Sequence, residues 1–123
     1  MAVLIRAEIR RVKGVALVHV TGTLTTNDTW GQLKETVAGL IREGDRNVVL
    51  NLSQLSFVDS SFIGELVACS LVVARAGGAL RLASTSRRVS ELLLVTRLGQ
   101  IFESFETDAE AIASLMPDTA QNR

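Results

Sequence analysis

Three adjacent side chains carry the oxygen chemistry most open to use in this sequence. Asp59, Ser60 and Ser61 follow the apolar positions Leu55, Phe57 and Val58 and precede an apolar run that begins Phe62-Ile63. Either Asp59 or Ser60 could cap a helix by accepting from its free first-turn N–H groups, worth about 0.5–2 kcal/mol. Capping uses one such residue and leaves a triplet unexplained. Nucleophilic catalysis would need a base, and the sole histidine, His19, lies mid-strand in line with Val15 and Leu17, with no G-x-S-x-G pattern anywhere. His19 therefore reads as a packed or edge-facing strand residue. Cys69, the only cysteine, cannot form an internal disulfide or a cysteine metal cluster. Without a cationic partner it reads as a small packing residue. No G-x-x-x-x-G-K-[ST] loop is present, and Gly77-Gly78 serves as a helix stop. Arg10-Arg11-Lys13 and Arg87-Arg88 lack interleaved aromatics and read as solvated surface, not as a nucleic-acid site. No metal or cofactor is expected, and the protein is not expected to be an enzyme.

The elements that must position the triplet follow from periodicity. Leu4 to Arg11 and Val15 to Thr21 form a hairpin about Lys13-Gly14. Thr25-Thr26-Asn27-Asp28 supplies an N-cap for an amphipathic helix, near Asp28 to Glu43, whose apolar side is Trp30, Leu33, Val37, Leu40 and Ile41. Gly44 ends it. Asn47 to Leu52 is a strand apolar enough to be covered on both faces. A loop over Ser53 to Val58 leads to a second helix near Ser60 to Ala76. Then come a strand, Ala79 to Ala83; a helix, Arg88 to Leu98, stopped by Gly99; a strand, Ile101 to Phe105; and a last helix, Asp108 to Leu115. The order β-β-α-β-α-β-α-β-α predicts an α/β fold, a mixed, mainly parallel sheet with helices packed on it. One domain over residues 1–116 and a flexible tail over 117–123 are expected.

On a helical wheel, Ile63, Leu66, Val67, Ser70, Val73 and Ala74 share the second helix's core side. Ser61, Glu65, Ala68, Val72 and Arg75 fall opposite, flanked by Cys69 and Leu71. That outer face is small and apolar, which suits docking of a partner or a weak homodimer.

Bulk properties bound the function. One hundred and twenty-three residues, 47% hydrophobic and 21% charged, make one globular domain. Thirteen basic and thirteen acidic residues cancel, so no net field draws the chain to nucleic acid or to an anionic membrane. The first residues are interrupted by Arg6, Glu8, Arg10 and Arg11, unlike a signal peptide. The longest apolar run, Leu66 to Ala74, is about half the roughly 20 residues of a membrane span. A cytoplasmic, soluble protein is expected.

The run NLSQLSFVDSSFIGELVACSLVVARAGGALRLAS resembles the centre of a STAS domain as found in anti-sigma factor antagonists, whose strand leads to D-S-S-G-L-G, a helix and Gly-Gly. V-T-G-T-L resembles that family's first loop, and SELLLVTRLGQIF its third helix and last strand. The resemblance spans roughly Leu4 to Leu115. It implies that Ser60 accepts phosphate from a partner kinase, an anti-sigma factor with a histidine-kinase-like ATPase fold, and that a serine phosphatase resets it. Unphosphorylated, such a protein binds the anti-sigma factor and frees the sigma factor. Partner contact is expected at Asp59, Ser61, Phe62, Glu65 and Thr25. The sequence departs from the family pattern in three places. Phe62-Ile63 replaces Gly-Leu, which sets a large ring where a partner meets bare backbone. Thr25 replaces an aspartate. Ser70-Leu71-Val72-Val73 replaces basic residues in the second helix. Phe62 and the apolar outer face also fit a STAS subunit that is never phosphorylated, such as a scaffold in a stressosome-like or lipid-transport assembly.

Overall fold

The computed structural model describes residues 5–24 and 31–116. Strands β1 (Ile5–Val12) and β2 (Val15–Leu24) form an antiparallel hairpin about Lys13 and Gly14, both at positive φ. Then follow α1 (Gln32–Arg42), β3 (Asn47–Val58), α2 (Ser61–Arg75), β4 (Ala79–Ala83), α3 (Arg87–Val95), β5 (Ser104–Phe105) and α4 (Asp108–Ser114). The sheet runs β1-β2-β3-β4-β5, and β2 through β5 are parallel. Parallel strands that advance in one direction through right-handed crossovers place all their connecting helices on one face. Accordingly Leu33, Val37 and Leu40 of α1, Leu66 and Val73 of α2, and Val89 and Leu93 of α3 share one core with Ala16, Val18, Val48, Leu50 and Leu82. The alternate strand positions Val15, Leu17, Val49 and Ala83 face the other way, onto Ala111 and Ile112 of α4. Strand periodicity of two thus makes a second, smaller core.

Four sequence expectations need correction or fall elsewhere. The segment Ser53 to Val58 is strand, not loop: β2 is long enough to pair with β3 as far as Leu24↔Val58. Its polar side chains hide this, because two register shifts on β3 let the strand bend out of strict alternation. The last strand keeps only Ser104–Phe105, since Ile101 and Phe102 turn back onto Leu98 O and Phe102 fills the core. Helix α3 ends at Val95, four residues before Gly99, because Arg97 takes the left-handed conformation (φ 61°). Arg97 N–H then bonds Leu94 O and Leu98 N–H bonds Leu93 O. This is the two-bond closure that Gly77 and Gly78 make on Ala74 O and Val73 O at the end of α2. The N-cap segment Thr25 to Asp28, Trp30, and the tail over 117–123 lie outside the described residues.

Gly78 has a separate constraint. A Cβ there would stand 1.8 Å from the carbonyl oxygen of Arg46, which already accepts from Ala79 N–H at 3.0 Å. Close backbone approach seats β4 beside β3 and so fixes where α2 returns to the sheet.

Candidate functional site

The bulged end of β3 delivers Asp59 to the head of α2. Asp59 Oδ1 accepts from the backbone N–H of Ser61 at 2.9 Å and from the Ser61 hydroxyl as well. Its carbonyl accepts from Phe62 N–H at 3.0 Å. Asp59 and Ser61 therefore supply the closure of the first turn. Ser60 is the N-cap residue by position yet makes no side-chain capping bond. It is exposed, and among the described residues its hydroxyl has no hydrogen-bond partner. Of the two cap candidates Asp59 does the work, and Ser60 presents a free hydroxyl at the positive end of a 15-residue helix.

The helix is rotated relative to the wheel drawn from sequence. Phe62, Ile63, Glu65, Leu66, Cys69 and Val73 are its buried residues. Phe62 is wholly enclosed, so its ring does not crowd the surface beside Ser60; it fills the core. Glu65, expected on the outer face as a partner contact, is only 1% exposed. Its Oε1 accepts from Gly31 N–H at 2.6 Å and its Oε2 from Lys34 N–H at 3.2 Å. Helix α1 starts from Gly31 in the left-handed region with no side-chain cap of its own, so Glu65 caps it from the neighbouring helix. Thr25 lies outside the described residues.

What does face outward from Ser60 is a stripe at helical spacing: Gly64, Val67 and Leu71, with Val67 36% and Leu71 48% exposed. Sequence reasoning put Val67 in the core and Leu71 on a flank. The polar Glu65 misled the wheel, because an acidic residue is taken as exposed unless its partner is known. The enclosed Phe62, at the first turn, is the signal that could have set the rotation.

Cys69 is buried against α1. Burial first, then the charge of Glu65 one turn away, pushes its thiol up to about 12, which keeps it protonated and unreactive. His19 faces α4, with the sheet between it and α2. Its Nε2 lies 2.9 Å from Asp108 Oδ2, and Asp108 Oδ1 accepts from Asn51 Nδ2 at 2.7 Å. Asn51 Oδ1 in turn accepts from the N–H and hydroxyl of Ser53, at 3.0 and 2.7 Å. This polar chain ties α4 to β2 and β3. Among the described residues, no cluster of His, Cys, Asp or Glu could hold a metal ion, and no helix is long and apolar enough to cross a membrane.

Comparison with known proteins bears on the fold that carries this arrangement. A Thermotoga neapolitana protein, named by homology an anti-sigma factor antagonist, is 31% identical over 72 residues, which are 58% of this chain and 64% of that relative. The match thus spans a little under two thirds of the relative's length. An anti-sigma factor antagonist from Mycobacterium paratuberculosis has a similar fold, with a TM-score of 0.74 at 20% identity over 90% of this chain and 93% of that one. The Bacillus cell fate determinant SpoIIAA in its phosphorylated form superimposes with a TM-score of 0.68 at 19% identity, over 90% of this chain and 100% of that one. The model of the STAS domain matches residues 6–111, nearly the whole five-stranded α/β unit that carries Ser60, and the chain belongs to the STAS domain family.

Proposed function

We propose that this protein is an anti-sigma factor antagonist that works by partner switching at Ser60. Unphosphorylated, it binds an anti-sigma factor with a histidine-kinase-like ATPase fold; phosphorylation by that partner releases it, and a serine phosphatase restores it. It acts in the cytoplasm as a binding module, without a cofactor and without catalysis of its own. One observation carries the reading: Asp59 and Ser61 satisfy the head of α2 between them, which leaves the exposed Ser60 hydroxyl without a structural task. Gly64, Val67 and Leu71 extend from it as the contact stripe. A phosphate at Ser60 adds about −1.5 to −2 charges at the head of a helix whose exposed positions continue as Gly64 and Val67. A partner packed there would have to desolvate that charge, and binding would be lost.

The test is incubation with ATP and the histidine-kinase-like anti-sigma factors of the same source. Phosphate should be found on Ser60 by mass spectrometry, absent from Ser60→Ala, and Ser60→Asp should weaken binding by tenfold or more. No modification by any of these kinases, with binding indifferent to Ser60→Asp, would overturn the proposal. The exposed apolar pair Val67 and Leu71 also favours a second reading, a STAS subunit held in a larger assembly without phosphorylation. That reading predicts that Leu71→Asp breaks the assembly while Ser60→Ala is silent.

A further inference from the structure

On the opposite face of the sheet, α4 covers only part of the hairpin. It is seven residues long, and between it and β1–β2 opens a cavity of about 340 Å³. Leu17 and Ile112, both nearly buried, form its floor, and Val12 and Met116 extend the apolar wall. Arg10 and Lys13 stand at its side. Among the described residues neither makes an ion pair or a hydrogen bond. The contrast with Arg11 is informative. Alternation turns Arg11 to the other face, where it binds Asp45 at 2.5 Å and Glu43 at 3.0 Å. The one acidic residue in the cavity wall, Asp108, turns its carboxylate oxygens to His19 and Asn51 and not to Arg10 or Lys13, so two cations stand against one carboxylate there. An apolar floor beside two unpaired cations calls for a ligand with an apolar body and an anionic end.

We propose that this cavity binds a small amphipathic anion, a medium-length acyl or alkyl chain ending in a carboxylate or a phosphate. The chain lies over Leu17 and Ile112, and the head group pairs with Arg10 and Lys13. The volume falls at the small end of ligand pockets, which run from about 300 to 1,000 Å³, so a single chain fits and a two-chain lipid does not. Both head groups suit the site, because Arg and Lys recognise either through charge-assisted hydrogen bonds. The site is separate from Ser60 and does not depend on the function proposed for it.

Calorimetric titration of the whole protein with decanoate, decyl phosphate, decanol and acetate tests each part. Decanoate or decyl phosphate should bind, and the stronger of the two identifies a free fatty acid or a phosphorylated lipid fragment as the source. Decanol should bind at least tenfold more weakly, and acetate not measurably. Shortening decanoate to octanoate should cost about fourfold in Kd per methylene removed. Arg10→Gln with Lys13→Gln should bring the anion's affinity down to that of decanol. Ala113→Trp, at an exposed alanine of the cavity wall, should block binding without loss of fold, verified by an unchanged circular dichroism melt. Absence of binding by both long-chain anions, equal binding of decanol and decanoate, or undiminished binding to a folded Ala113→Trp would each overturn the proposal.

Discussion

Replacement of Glu65 by glutamine should destabilise the protein by about 2 kcal/mol, although it conserves size and shape. Helix α1 has no N-cap side chain of its own, and both carboxylate oxygens of Glu65 are committed to its first turn, at Gly31 N–H and Lys34 N–H. An amide offers one acceptor where the carboxylate offers two, and its NH2 group would face a backbone donor. Loss of a cap costs about 0.5–2 kcal/mol, and a donor left without a partner in a buried setting about 1–3. The charge also faces the positive end of the α1 macrodipole. Against these stands the desolvation of a carboxylate that is 1% exposed, which glutamine would relieve. The bonding terms win here because glutamine keeps the burial and removes only the fit. A loss of about 2 kcal/mol corresponds to roughly 1 M in urea midpoint and a fall of about 8 °C in Tm. Urea melts, with amide exchange read at Gly31 to Lys34, distinguish the local effect from a global one. An unchanged midpoint, or exchange at α1 no faster than in the parent, would refute the capping role. Undisturbed stability with loss of a binding partner would instead return Glu65 to the surface role expected from sequence.

Other substitutions probe the same frame. Phe62→Gly should lower stability by about 3–6 kcal/mol, since loss of a fully enclosed ring costs about 3–5 and glycine in the first turn of α2 up to about 1 more, a large part of a total of about 5–15; a cooperative melt within a few degrees of the parent would place the ring outside the core. Gly78→Ala, whose new Cβ would meet Arg46 O at 1.8 Å with backbone on both sides, should cost about 3 kcal/mol or more by urea melting; a loss under about 1 would mean that β4 can shift freely. Native Cys69 should resist iodoacetamide at pH 8 and react fully in urea, since burial pushes its thiol up to about 12. A thiol raised in the folded state contributes stability that is complete below its unfolded value near 9 and lost as pH rises from there toward 12, so Cys69→Ala should flatten the alkaline limb of the stability profile.

Strand order, helix order and the position of Ser60 were legible because each rests on local signals: alternation in Val15 to Thr21, the helical spacing of Leu33, Val37 and Leu40, and glycine stops at Gly44 and Gly77. The errors sit where contacts beyond the local pattern decide. Arg97 takes the left-handed position that Gly99 would fill more easily, because closure onto Leu93 and Leu94 places Leu98 against the core. Ser53 to Val58 reads as loop until β2 is known to reach beside it. Glu65 reads as solvent-facing until its acceptors meet α1. Tertiary hydrogen bonds override the hydrophobic pattern at Ser53 to Val58 and at Glu65, whereas at Arg97 a local closure does so.

The rotation of α2 bears most directly on how Ser60 would be read by a partner. With the wheel as drawn from sequence, Ser61 and Glu65 would continue the surface below Ser60, and an added phosphate would sit among acidic and hydroxyl groups already hydrated. As folded, Glu65 is turned inward and the Ser61 hydroxyl is held by Asp59, so the groups that continue outward are Gly64, Val67 and Leu71. A phosphate there adds the only strong charge to an otherwise neutral stripe. Its own helix tolerates it, since it meets the positive end of the macrodipole. Under the proposed function the cost would fall on the bound partner, which would have to strip water from a dianion while packing against valine and leucine. Discrimination of this kind needs no conformational change in the protein. It follows from one free hydroxyl placed above an apolar contact, and from Asp59, Ser61 and Glu65 being occupied elsewhere.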